Sequence, residues 1–119
     1  MGITYIRGMV QNPADRARST EVEFLVDSGA IYSVVPATTL AQLGLEPDRE
    51  EEFTLADGSH ARRLMADAFF TVGSKRAASP VIFGESDDAT LLGALTLESL
   101  GVMIDPFKRE LRPLPMLLA

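Results

Sequence analysis

Short stretches that alternate apolar and polar residues, broken at close intervals by turn residues, restrict what this chain can fold into. In Glu21-Val-Glu-Phe-Leu-Val26, Val22, Phe24 and Val26 fall on one face while Glu21 and Glu23 point away. The same period of two runs through Leu64, Ala66, Ala68, Phe70 and Val72, with Arg63, Asp67 and Thr71 opposite. Successive side chains of an extended strand point to opposite faces, so both stretches read as half-buried β-strands. Ile3–Val10 is also β-rich and precedes a polar, turn-like Gln11–Asp15. Gly73-Ser74-Lys75 predicts a hairpin leading into Ala77–Phe83, and Asp57-Gly58 is a strong hairpin signal because both residues tolerate positive φ.

Only two segments read as helices. Ala37–Leu43 follows Pro36, which suits a first helical turn, and stops at Gly44. Ala94–Leu100 stops in the same way at Gly101. The two segments share more than length, because Thr39-Leu-Ala-Gln-Leu-Gly-Leu45 and Thr96-Leu-Glu-Ser-Leu-Gly-Val102 match at Thr, Leu, Leu and Gly in one register. A short apolar strand with a tight, glycine-containing turn lies upstream of each, Leu25-Val26-Asp27 and Leu91-Leu92-Gly93. A mostly β domain with two related halves is expected, spanning residues 1–119 without a linker. Asp48-Arg-Glu-Glu-Glu52 is a charge run, expected as a solvated loop. The tail, Leu111–Ala119, is apolar, and its two prolines exclude a central strand; a partner subunit is the natural cover for it.

Composition removes several kinds of chemistry. The 119 residues include no cysteine and one histidine, so thiolate sites, disulfides and a multi-histidine metal centre are excluded within one chain. A net charge of −6 suits neither nucleic acid nor an anionic membrane. Arg7 interrupts the apolar N-terminal stretch, Ile6 stands where a myristoylation signal needs Ser or Thr, and no apolar run is long enough to span a bilayer. A cytoplasmic protein is expected.

The chemistry concentrates in Val26-Asp-Ser-Gly-Ala-Ile-Tyr-Ser-Val-Val-Pro36. Here a carboxylate ends an apolar strand, where a charge is costly unless hydrogen bonds compensate it. Gly29 lets backbone N–H groups approach that carboxylate, and Gly29 with Ala30 leaves room for a ligand or a second copy of the turn. At these residues the chain resembles the retroviral-type (retropepsin-like) aspartic proteases and their single-lobed cellular relatives. The resemblance runs from about Val22 to Pro113. Asp27-Ser28-Gly29-Ala30 matches the family's catalytic motif, and Leu55-Ala-Asp-Gly-Ser59 its flap hairpin. Leu91-Leu92-Gly93, followed by Leu97–Asp105, matches the pair of apolar residues and glycine before a helix.

The resemblance implies an all-β, single-lobe acid-protease (retropepsin-like) closed β fold with one or two short helices. It further implies an aspartic endopeptidase with Asp27, Ser28 and Gly29 as catalytic residues, and with Ala30, Ala56, Asp57, Gly58 and Ser59 against the substrate. No metal and no organic cofactor is implied. Aspartic proteolysis needs two carboxylates sharing a proton, and the position expected to mirror Asp27 in the second half is Gly93, which cannot ionise. The implied enzyme is therefore a homodimer that acts on a peptide or protein, with Asp27 supplied twice and Ser28 bonding across the two-fold axis. Ile31 stands where the family usually has a small polar residue, which implies an altered pocket or a weaker hydrogen-bond net beneath the site. A retropepsin-like dimerisation or peptide-binding module with little catalysis is the alternative.

Other groups carry weaker expectations. His60 reads as an exposed or substrate-edge residue, and a Ser–His–Asp hydrolase built on it lacks a Gly-x-Ser-x-Gly elbow. Glu85, Asp87 and Asp88 lack the spacing of a calcium loop and read as a solvated turn. Asp105-Pro106 reads as a turn ending a strand.

Overall fold

Alternation becomes strand in the computed structural model, which describes residues 3–115 and 118. Strand β1 (Tyr5–Asn12) turns at Pro13-Ala14 into β2 (Asp15–Val26), and β3 (Ser33–Pro36) runs directly into helix α1 (Ala37–Gln42). β4 (Arg49–Thr54) and β5 (His60–Val72) flank the loop Leu55–Ser59. β6 (Lys75–Gly84), β7 (Leu91–Leu92), α2 (Ala94–Leu100), β8 (Val102–Asp105) and β9 (Glu110–Pro113) follow. Gly73-Ser74 is the expected β5–β6 turn, and Gly44 and Gly101 end the helices at φ of 78° and 72°. Among the described residues no helix is long and apolar enough to cross a membrane.

Seven strands form one sheet in the order β1-β2-β7-β3-β6-β5-β4, and a further pairing of β1 with β5 closes it. Closure matches Val10 with Phe70, and both are fully buried. The core lies inside the closed sheet and beneath the helices. Phe24 and Phe70 meet there at 6.0 Å between ring centroids, with Leu40, Leu92, Leu97 and Leu100 around them. Each such side chain contributes about 1.5–3 kcal/mol by leaving water. The family resemblance predicts an all-β closed fold with short helices, and this is the architecture found.

The charge run 48–52, expected as a solvated loop, is strand from Arg49 onward, with Glu50, Glu51 and Glu52 exposed on it. β4 pairs with β5 in a register that sets Glu52 opposite Arg62, and Arg62 Nε also donates to Glu50 at 2.9 Å. Arg49 reaches Asp67 at 3.0 Å. Opposite charges across the ladder offset the low strand propensity of glutamate, and the charges also guard an edge strand against stray pairing. At the other end, among the described residues β9 pairs with β8 alone, and Leu111 packs against the core. Pro113 ends this edge strand, where its missing N–H is tolerated. Met116, Leu117 and Ala119, part of the apolar tail, lie outside the described residues.

Parallel pairing reveals the relation between the two halves. The end of β2 lies beside β7, with Val26 opposite Leu92, and the end of β6 lies beside β3, with Phe83 opposite Val35. Pro36 and Gly93 are the N-caps of α1 and α2, so the matched helices equate β3 with β7. Val26 then corresponds to Phe83, and the residue after each makes Gly84 the counterpart of Asp27. Gly93 corresponds instead to Pro36, which corrects the expected pairing. The local order of strand, turn and glycine misassigned it because the equivalence lies in the register of parallel strands distant in sequence. Neither glycine ionises, so one chain still offers one carboxylate at this position.

Candidate active site

Asp27 sits where β2 leaves the core. Val26 is buried and donates its N–H to the Thr4 carbonyl at 2.8 Å, while the Asp27 N–H donates to the Leu92 carbonyl at 3.0 Å. The chain then turns sharply. Gly29 N–H donates to Asp27 Oδ1 at 2.9 Å, and Ala30 N–H to the Asp27 carbonyl at 3.2 Å. A Cβ at residue 29 would stand 3.2 Å from Oδ1, so glycine keeps the path to the carboxylate open. The half-buried carboxylate is thus oriented by a backbone donor and rooted in the core on one side.

The turn is also anchored to α2. Ala94 N–H donates to the Ala30 carbonyl at 2.7 Å and Leu95 N–H to the Ile31 carbonyl at 3.0 Å. These bonds satisfy N–H groups that a helix start leaves without partners, and α2 has no side-chain cap to do so. The approach is close: a Cβ on Gly93 would meet the backbone carbonyl of Tyr32 at 2.6 Å. This contact is the physical reason for glycine after Leu91-Leu92.

Beneath the turn runs a chain of buried hydroxyls. Gly93 N–H donates to Ser33 Oγ at 2.9 Å, Ser33 Oγ lies 2.6 Å from Thr96 Oγ1, and Thr96 Oγ1 lies 2.8 Å from Ser79 Oγ. Hydroxyls rotate, so each can accept from one neighbour and donate to the next. The chain links β3, α2 and β6 and does not involve the Ile31 side chain. Ser33 and Ser79 escaped the sequence reading, although each is a hydroxyl inside an otherwise apolar strand, which is the available signal.

The loop opposite carries its own order. Leu55 N–H donates to the Ser59 carbonyl at 2.7 Å, Gly58 N–H to the Leu55 carbonyl at 2.9 Å, and Ser59 N–H to Asp57 Oδ1 at 2.9 Å. The Ser59 hydroxyl, then its N–H, hold the Asp57 carboxyl below the usual range. Gly58 has a φ of 85° and nothing near where a Cβ would be. Ala56, Asp57, Gly58 and Ser59 are exposed. Ala30 and the base of this loop meet in a groove of about 380 Å³ between Ile31 and Tyr32 on one side and Phe53 and Leu55 on the other. Tyr32 and Phe53 pack edge to face, 6.1 Å apart.

The remaining residues fall as follows. Ser28 is exposed and lines a separate, mainly apolar cavity of about 280 Å³ with Leu97, Glu98, Ile104 and Leu114. His60 is exposed and lies 3.4 Å from Thr54 across the loop base. The expected solvated turn at 85–88 is an ion-paired one. Arg63 grips Asp88 with two bonds of 2.7 and 3.0 Å, and Glu85 N–H adds a third at 2.8 Å. Arg63 foremost holds the Asp88 carboxyl below its usual range. Asp105, which ends β8, accepts the N–H groups of Phe107 and Lys108 as a turn residue. Among the described residues no three His, Cys, Asp or Glu side chains are grouped to hold a metal ion.

Comparisons with known proteins agree with this fold. The fold is similar to the crystal structure of a retropepsin-like aspartic protease from Rickettsia conorii, with a TM-score of 0.55. The two are 23% identical, over 87% of this chain and 77% of the other. No curated protein matches the chain. A family model described as aspartyl protease matches residues 13–96, a stretch that holds the Asp27 turn, the Leu55–Ser59 loop and the start of α2. The chain therefore belongs to the aspartyl protease family and has its retropepsin-like fold.

Proposed function

We propose that this chain, as one catalytic domain over residues 1–119, is an aspartic endopeptidase that hydrolyses peptide or protein substrates as a homodimer. The observation that carries the reading is the Asp27 carboxylate, fixed by Gly29 N–H at 2.9 Å, with Gly84 at the corresponding position of the second half. One carboxylate cannot both take a proton from water and give one to the scissile carbonyl. A second copy related by a two-fold axis supplies the missing group. Two carboxylates so close share one proton, because ionising both is unfavourable.

The ionised Asp27 takes a proton from the water held between the two groups, and the water oxygen adds to the carbonyl carbon. The protonated Asp27 gives its proton to the carbonyl oxygen. The tetrahedral species then collapses as the C–N bond breaks, and one of its hydroxyls returns a proton to the Asp27 that protonated the carbonyl, restoring the shared-proton pair. The nitrogen takes the proton first drawn from water, and an acid and an amine leave. No metal or organic cofactor takes part. Ser28, exposed beside Asp27, bonds across the axis and fixes the two turns. The loop with Ala56, Asp57, Gly58 and Ser59 acts as a flap that closes over an extended peptide, and Ala30 lines the substrate path.

The test is cleavage of a mixed peptide library by the wild type and by Asp27→Asn. Cleavage that disappears in a folded, dimeric Asp27→Asn protein supports the reading. A folded, dimeric wild type that cuts nothing the variant spares overturns it in favour of a peptide-binding module.

A further inference from the structure

Arg16 and Arg76 converge on one aromatic ring. Their guanidinium carbons lie 5.2 and 4.9 Å from the centre of the Phe69 ring. The arginines come from β2 and β6, and Phe69 stands where β5 lies between β1 and β6. The two charges are thus at most about 10 Å apart, close to the distance over which exposed charges still act in physiological salt. The ring's π electrons attract both and hold them together against their repulsion. Carboxylates at neighbouring strand positions are engaged elsewhere. Asp67 meets Arg49 at 3.0 Å, Glu21 meets Arg7 at 2.9 Å, and Asp15 accepts the Ala17 N–H at 3.2 Å. Among the described residues neither Arg16 nor Arg76 forms an ion pair, in a chain with 17 acidic and 11 basic side chains. Both are exposed, as is Lys75 beside Arg76.

We propose that Arg16, Phe69 and Arg76 form a docking site for an acidic segment of a protein partner, one that presents two Asp or Glu side chains from an extended stretch. Arg16 and Val26 are separated by about ten residues of β2, roughly 30 Å of strand, so the site is distinct from the Asp27 turn and independent of the peptidase reading. Alternate side chains of an extended peptide share a face and stand roughly 7 Å apart, within the span of the two guanidinium groups. Each guanidinium offers a carboxylate two parallel N–H donors, and a bound pair of carboxylates also relieves the repulsion between the arginines. A nucleic acid carries its charge in a long line past the patch and meets the surplus of acid on the rest of the surface. A short acidic segment is confined to the patch.

The probe is a fluorescein-labelled decapeptide of alternating Glu and Gly, read by anisotropy beside the same peptide with Gln for Glu and a labelled oligothymidine. The Glu peptide is expected to bind more tightly than the other two, and less tightly as salt is raised. Arg16→Gln combined with Arg76→Gln should weaken it about fivefold or more. Arg16→Lys with Arg76→Lys keeps the charge, loses the planar fork and should fall between. Lys108→Gln with Arg109→Gln removes the same charge from the exposed turn after β8 and should change the affinity by less than about twofold. Asp27→Asn should bind as the wild type does, which keeps the test separate from cleavage. Equal binding of the Glu and Gln peptides, equal losses in the two glutamine pairs, or tighter binding of the oligothymidine overturns the proposal. So does a lowered melting temperature in the Arg16→Gln, Arg76→Gln protein with no loss of affinity, because the arginines would then serve only to pack Phe69.

Discussion

The backbone N–H of Asp27 donates to the carbonyl of Leu92 at 3.0 Å, tying the carboxylate-bearing turn to the strand that precedes α2. One residue on, Gly93 bonds to Ser33 on the far side of the same turn. The carboxylate is therefore positioned by groups more than sixty residues away in sequence, and the supports can be tested separately from the carboxylate.

Gly93→Ala places a methyl group 2.6 Å from the Tyr32 carbonyl, where backbone must move. Unfolding in denaturant should show a loss of roughly 1–3 kcal/mol. On the proposed peptidase reading, activity should fall further than stability accounts for, because the displaced segment belongs to the turn that carries Asp27. An unchanged midpoint would mean that the turn and α2 are less tightly joined than the distances require.

Thr96→Val keeps the shape of the side chain and removes the hydroxyl shared by Ser33 and Ser79. Two buried hydroxyls then lose a partner, at a cost of about 1–3 kcal/mol. Thr96→Ser retains the hydroxyl and should recover the hydrogen-bonding part of that loss. Chemical denaturation of the three proteins side by side checks both statements.

Asp88 contributes a pH-dependent part of the stability. Its carboxyl is held below the usual 3.8, first by Arg63 and also by the Glu85 N–H, against the opposing effect of burial. A lowered folded pKa stabilises the folded state at pH values above the unfolded one, and this contribution disappears as pH falls through the folded value. At neutral pH, Asp88→Asn should cost roughly 1–2 kcal/mol, and the difference from wild type should narrow as pH drops below 3.8. Thermal melts at several pH values measure it.

The strands β2, β5 and β6 and both helices were legible in the sequence because half-burial writes period two, and glycine ends a helix in plain view. The Asp27 turn was legible for a related reason, as a carboxylate between apolar strands needs neighbours that supply N–H groups. β4 was misread because its glutamates dominate the local pattern, while the arginine that compensates them sits across the ladder. The counterpart of Asp27 was misassigned to Gly93 because equivalence between the halves lies in parallel pairing, which joins β2 to β7 and β3 to β6. Ser33 and Ser79 stand out in sequence only as hydroxyls beside apolar strand residues, and their role arises where three elements bring hydroxyls together.

On the proposed reading, two Asp27 carboxylates from two chains form one site. Wild type is mixed with Asp27→Asn at fixed total concentration, subunits are allowed to exchange, and cleavage is measured against the wild-type fraction. A shared site makes activity follow the square of that fraction, so an equimolar mixture keeps about one quarter. A straight-line fall, with about one half retained, would mean that each chain carries its own complete site and would rule out a site shared between two chains.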